Sequence, residues 1–150
     1  MNLAHVHLLL NHFPVIATVL GLLLLVWGIY RRSPEVRTAS FLVFILAALV
    51  AIPTFRTGEP AEELIEHMPG VSRDLIHDHE EAAEVTIWIV EVLGVVALAA
   101  LIWQRKRGAT PAWLVLIVLL IALGAAGALG WTANLGGKIR HPEINSAGTG

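Results

Sequence analysis

The residues best equipped for chemistry in this sequence are its seven histidines: His5, His7, His12, His67, His77, His79 and His141. Imidazole is the side chain that binds metals and exchanges protons near neutral pH. His12 draws the eye because it lies about a turn inside an apolar run, in the stretch His7-Leu-Leu-Leu-Asn-His-Phe-Pro14. An ionisable group placed there normally faces a helix-bundle interior and finds a partner. The plainer reading is a neutral histidine near the headgroups, hydrogen-bonded to Asn11. His5 and His12 are seven apart and share a helix face, while His7 and Asn11, four apart, share another. Pro14 removes one backbone hydrogen bond and is expected to kink the helix below His12.

A second group of polar residues opens the third apolar run. His77, Glu81, Glu84, Trp88 and Glu91 form one helical stripe; His79, Ala83, Thr86, Val90 and Leu93 form another. The second stripe is small or apolar below its histidine and suits a bundle core, so His79 is expected to look across at His12. Glu91 lies deep in the run and needs a partner or a water-filled cavity. The preceding segment is acidic, with Glu59, Glu62, Glu63, Glu66, Asp74, Asp78, Glu80 and Glu81, and reads equally well as a solvated surface. A short helix is expected over Glu62 to His67. After the last apolar run, Asn134-Leu-Gly-Gly-Lys-Ile-Arg-His141 supplies glycines, two cations and a histidine.

Two chemistries and one structural role follow. A helix bundle can hold a b-type haem between facing histidines, with no cysteine needed. His12 and His79 are the first ligand pair, with His7, His77 and His141 in reserve and enough histidines for a second haem. Arg56, Lys138 and Arg140 suit the propionates, and Gly136 and Gly137 allow close backbone approach. The role would be electron transfer or redox relay with a partner or within a larger membrane complex. Alternatively His12, His79, Glu63, His67 and Glu80 suit zinc, copper or non-haem iron in a metal-dependent enzyme or metal-handling protein. A third reading is an accessory subunit of a larger membrane complex. A quinone headgroup also suits polar residues near one interface.

These residues need elements to hold them, and composition says what kind. The 150 residues are 56% hydrophobic with a mean hydropathy of +0.71, more apolar surface than a soluble domain of this length can hide. The formal net charge of -2 argues against nucleic acid as a partner. Zero cysteines exclude disulfides, thiolate zinc sites, iron–sulfur clusters and covalent c-type haem. Four apolar runs, about 8–30, 39–55, 82–103 and 111–133, each approach the length needed to cross roughly 30 Å of hydrocarbon. Trp27, Tyr30, Trp103, Trp113 and Trp131 lie near their ends, as interfacial anchors should. The first run is too long for a signal-peptide core, lacks a basic region before it, and reads as retained.

Arg31, Arg32 and Arg37 connect the first two runs, and Arg105, Lys106 and Arg107 the last two. Both short loops therefore face the cytoplasm. Both termini and the loop 56–81 face outward, to the periplasm if the membrane is a bacterial inner one. The expected fold is all-α: a single membrane domain over 1–150, an up-down-up-down four-helix bundle with a flexible tail at 145–150. Gly124, Gly127 and Gly130 in the last run are expected to serve close helix packing, or else to leave room for a flat cofactor.

The His7-x4-His12-Phe13-Pro14 run, the four spans and the Gly136-Gly137 pair followed by His141 resemble a family of bacterial inner-membrane proteins. That family is described only as a domain of unknown function, and haem binding has been suggested for it. The resemblance covers most of the chain in layout and implies a histidine-lined site. The three residues between Gly137 and His141 are fewer than the family pattern has.

Overall fold

The computed structural model describes residues 3–63 and 71–140, and among these every regular element is a helix. In chain order they are α1 (Leu3–Leu10), α2 (His12–Tyr30), α3 (Pro34–Arg56), α4 (Gly58–Glu63), α5 (Arg73–Arg107) and α6 (Ala112–Arg140). Four stretches are long and apolar enough to cross a membrane: Leu3–Tyr30, which joins α1 and α2, then Pro34–Arg56, Arg73–Arg107 and Ala112–Ile139.

Local chemistry sets the helix ends. Ser33 is extended, accepts a hydrogen bond from the Val36 amide at 3.3 Å and is followed by Pro34 in the first turn. Ser72 caps α5 in the same way through the Leu75 amide. α5 stops at Gly108, whose φ of 81° only glycine adopts cheaply and whose N–H returns to the Gln104 carbonyl at 2.8 Å. Arg105, Lys106 and Arg107 fill the last turn, where they offset the helix dipole.

α2 packs on α3, α3 on α5, α5 on α6, and α6 returns to α2, closing a ring of four. The interior is filled by Leu25, Phe41, Phe44, Val90, Leu93 and Val118, all buried. Two glycines set how closely the helices approach. A Cβ on Gly94 would lie 2.5 Å from Ala48 Cβ, and one on Gly21 would lie 2.6 Å from Phe44 Cε1. The glycines singled out from sequence do something else. Gly124, Gly127 and Gly130 are exposed, with no atom within 4 Å of an added Cβ. The expectation of close packing there is corrected, because α6 buries the opposite stripe of Leu114, Val118, Ala122, Ala125 and Leu129. The outside of the ring is apolar, with Leu8, Leu23, Leu49, Val95 and Leu120 all exposed. Water does not suit such a surface; lipid does.

The helices run beyond their apolar cores. α5 starts at Arg73, so the helix that carries the stripes of His77 and His79 begins well inside the expected outer loop 56–81. α4 occupies Gly58–Glu63; of the helix expected over Glu62 to His67, residues 64–67 lie outside the described residues. α1 and α2 meet at Asn11, whose backbone stays helical and whose N–H donates to the His7 carbonyl at 2.8 Å, so the expected kink at Pro14 does not interrupt the run. Pro14 sits in the first turn of α2, where its missing N–H costs little.

Candidate functional site

The polar residues separate into two ends of the ring. At one end lie α1, α4, the start of α5 and the end of α6, which carry the histidines. At the other lie the arginine-rich turns.

At the histidine end two imidazoles are held alike. His7 Nδ1 donates to the Thr54 carbonyl at 2.9 Å. That carbonyl belongs to the last turn of α3, where helical donors run out. The Thr57 hydroxyl is 3.4 Å from the same nitrogen and also reaches the Pro53 and Thr54 carbonyls. His79 Nδ1 donates to the Thr132 carbonyl of α6 at 3.0 Å. Thr132 anchors this side, because its hydroxyl also meets that of buried Thr86 at 2.9 Å. A carbonyl only accepts, so both Nδ1 atoms carry the proton. In the neutral rings the lone pair then sits on Nε2.

Each ring also lies beside a glycine. Gly58, at the start of α4, leaves His7 Cε1 3.7 Å from where a Cβ would be; for Gly136 and His79 Cε1 the distance is 3.2 Å. His79 lies within electrostatic reach of His7 and of Glu80. His7 on α1 and His79 on α5 therefore lie at the same end of the bundle, on different helices.

The remaining sequence candidates fall in different places. His12 is exposed and hydrogen-bonds its neighbour Asn11, which is the plainer of its two readings. His7, not His12, is the α1–α2 histidine within electrostatic reach of His79. His77 is exposed, 3.3 Å from Glu81 and 3.9 Å from Glu80. Arg56 is exposed at the end of α3, Lys138 and Gly137 are half-buried on α6, and Arg140 ends that helix. Of the metal set, Glu63 and Glu80 line one cavity while His12 and His79 do not. Among the described residues no three His, Asp or Glu side chains come close enough to hold a metal ion. His67 and His141 lie outside the described residues.

That cavity, about 280 Å³, is lined by Glu59, Glu62, Glu63, Arg73, Ile76, His77 and Glu80. Within it Glu62 of α4 hydrogen-bonds Glu80 of α5. Two carboxylates repel, so the contact requires a shared proton. Burial, then the hydrogen bond to Glu80 and the charges of Glu80 and Glu59, raise Glu62 from 4.5 to about 8. A second cavity of about 520 Å³ lies between α5 and α6, lined by Asp78, Glu81, Ala82, Val85, Thr86, Ala128, Trp131 and Leu135. Neither cavity is lined by His7 or His79.

Sequence reasoning missed Thr54, Thr57, Gly58 and Thr132. The signal was present: threonines one turn from the end of an apolar run, at the depth of the histidines. No protein-family model, curated protein or solved structure matches the chain.

Proposed function

We propose that this chain is a multi-pass protein of a bacterial inner membrane and a b-type haem protein, in which His7 and His79 would hold the haem. The bundle runs up-down-up-down, with both termini and the histidine end on the periplasmic side. The basic turns Arg31–Arg32 and Arg105–Arg107 support that direction.

The observation that carries the reading is the matched Nδ1–H to carbonyl bond on each histidine. Such a bond fixes the tautomer, aims Nε2 as the ligand atom and raises its basicity. The donor set fits: a porphyrin supplies four nitrogens, so two imidazoles from different helices complete the coordination. Gly58 and Gly136 leave the backbone bare beside each ring, where a flat macrocycle must pass. Haem would supply one-electron redox chemistry. The residues' own tasks are to hold two Nε2 lone pairs in register and to keep the ring orientation fixed through Thr54 and Thr132. Arg56 and Lys138 offer cations at this end for propionates.

Because His7 and His79 line neither cavity, admission of a porphyrin requires one helix to give way. α1 is the element that can, because it has no buried residue. The test is an optical spectrum with metal analysis on one purified sample. A Soret band that shifts on reduction supports the reading. A colourless protein that gains no band when haem is added overturns it, and stoichiometric zinc or copper would install a non-haem site instead.

A further inference from the structure

The site above leaves the arginine end unused. Six cations stand there, Arg31, Arg32 and Arg37 around the α2–α3 turn and Arg105, Lys106 and Arg107 before the α5–α6 turn, against one acid, Glu35. The uncharged groups hold the two turns side by side: Gln104 donates to the Thr38 hydroxyl at 2.7 Å and accepts from Thr110 at 3.0 Å. Arg37 is tied into its own turn, its Nε 3.4 Å from the Ser33 carbonyl, and Glu35 accepts from the Ser33 hydroxyl. The other cations are left over. Arg31, Arg32, Arg105, Lys106 and Arg107 are exposed, and none of them forms an ion pair among the described residues.

The backbone singles out Arg32. At the end of α2 the Arg32 N–H returns to the Ile29 carbonyl at 3.1 Å and the Ser33 N–H to the Gly28 carbonyl at 3.0 Å. That pair of bonds needs a left-handed residue between helix and turn. Arg32 takes the place with a φ of 52°, the one residue other than glycine with a positive φ among the described residues. A Cβ is disfavoured there, and the α5–α6 turn meets the same demand with Gly108 at 81°. Helix dipoles and membrane topology both favour cations at these ends. Neither requires one at the position that glycine fills best. A strained residue standing where glycine would fit points to a use for its side chain.

Aromatic rings set the depth of these cations. Arg31 Cζ lies 5.6 Å from the centre of the Trp27 ring, with Tyr30 packed 5.8 Å from that ring, and Trp103 and Trp113 meet edge-on at 5.9 Å by the other turn. Trp and Tyr settle at the headgroup level of a bilayer, so the cations beside them stand among lipid phosphates. We propose that the two basic turns together bind the phosphate of an anionic phospholipid, with Arg31 and Arg32 on one side and Arg105, Lys106 and Arg107 on the other. Unpaired cations call for an anion, and the guanidinium fork matches phosphate oxygens. Basic segments at a membrane surface draw anionic lipids in this way. The acyl chains then lie along the exposed apolar outside of the bundle, which a free phosphate cannot use. The binding needs no haem and no choice of which end faces the cytoplasm.

Full-length protein is reconstituted in phosphatidylcholine vesicles carrying a trace of phosphatidylglycerol spin-labelled on its acyl chain, or of phosphatidylcholine labelled alike as the reference. Paramagnetic resonance reads the fraction of each label held at the protein surface. Phosphatidylglycerol is expected to be held in preference, less so as salt rises. Arg32→Gly is expected to lower that preference by about twofold, screening holding one cation below the roughly fivefold it is worth near an anionic surface. Thermal unfolding of the same variant in one detergent is expected to show no loss of stability, because glycine takes the left-handed conformation freely. Arg32→Lys, which keeps the charge, is expected to retain most of the preference, and Arg73→Gln at the other end all of it. Equal retention of the two labels overturns the proposal. So does a preference that Arg32→Gly leaves intact or that Arg73→Gln removes, and a loss of stability in Arg32→Gly would make its side chain part of the turn instead. Inorganic phosphate added at constant ionic strength is expected not to displace the labelled lipid; displacement would assign the turns to a free oxyanion and overturn the lipid as occupant.

Discussion

The two ends of the bundle handle polar groups in opposite ways. At the arginine end they satisfy one another: Gln104 donates to the Thr38 hydroxyl at 2.7 Å and accepts from Thr110 at 3.0 Å. Ser33 caps α3 while its hydroxyl donates to Glu35. This network ties α3, α5 and the turn before α6, and it spends its donors on its own acceptors. At the histidine end the bonds orient instead of closing. His7 and His79 each use one nitrogen on a carbonyl and keep the other as a base, and Glu62 and Glu80 meet only by sharing a proton. One end is built to stay shut, the other holds reactive atoms in place.

The sharpest way to break this contrast is to remove the rings. If the chain holds haem as proposed, replacing His7 or His79 by Ala is expected to abolish its absorption band. His12→Ala, altering an exposed ring, is expected to leave it unchanged. Absorption and paramagnetic resonance spectra read both. A loss with His12→Ala and none with His7→Ala would return the axial role to His12. At the arginine end, Gln104→Leu is expected to cost about 1–2 kcal/mol by stranding the buried Thr110 hydroxyl, while Thr38 keeps its bond to the Pro34 carbonyl, with no change in any spectrum. Thermal unfolding in one detergent measures it.

Legibility in the sequence followed the same division. The four apolar stretches could be read because lipid exposure demands long unbroken runs, and no tertiary detail alters that. The site could be read only to its neighbourhood. His79 emerged from its stripe because Ala83 and Thr86 leave one side of α5 small. His7 was held in reserve behind His12 because His12 lies about a turn inside the apolar run; the structure leaves that ring exposed, while His7 reaches the Thr54 carbonyl. The glycines misled for a related reason. A glycine-rich stripe signals either packing or exposure, and only the neighbours of α6 decide which. The partners of the histidines are backbone carbonyls, which no side-chain pattern advertises.

Gly136→Ala sharpens the contrast more finely. Alanine favours the helix by up to about 1 kcal/mol over glycine, but its Cβ would sit 3.2 Å from His79 Cε1. The ring must shift by a few tenths of an ångström. The two effects oppose in stability and not in function. Unfolding is expected to change by less than about 1 kcal/mol, while haem affinity falls several-fold in a titration. Equal effects on both would mean that Gly136 serves only the helix.

The smallest effect concerns the carboxyl pair. Packed against α5, Glu62 titrates near 8; released from it, the same side chain returns toward 4.5. Between those values the packed state binds more protons than the released one, so packing weakens as pH rises. The contact is strongest below about 4.5, declines through the window and is weakest above about 8. Glu62 is only partly buried, and solvent screening keeps the change modest. Hydrogen exchange at the amides of residues 58–63, corrected for intrinsic rates, should show protection falling from pH 5 to pH 9. His77 lines the same cavity, 3.9 Å from Glu80, so its contribution must be separated. Glu62→Gln keeps a donor toward Glu80 but cannot lose a proton, and its protection is expected to stay level. If the decline survives in Glu62→Gln and disappears in His77→Gln, the histidine end opens through its exposed imidazole rather than its shared proton.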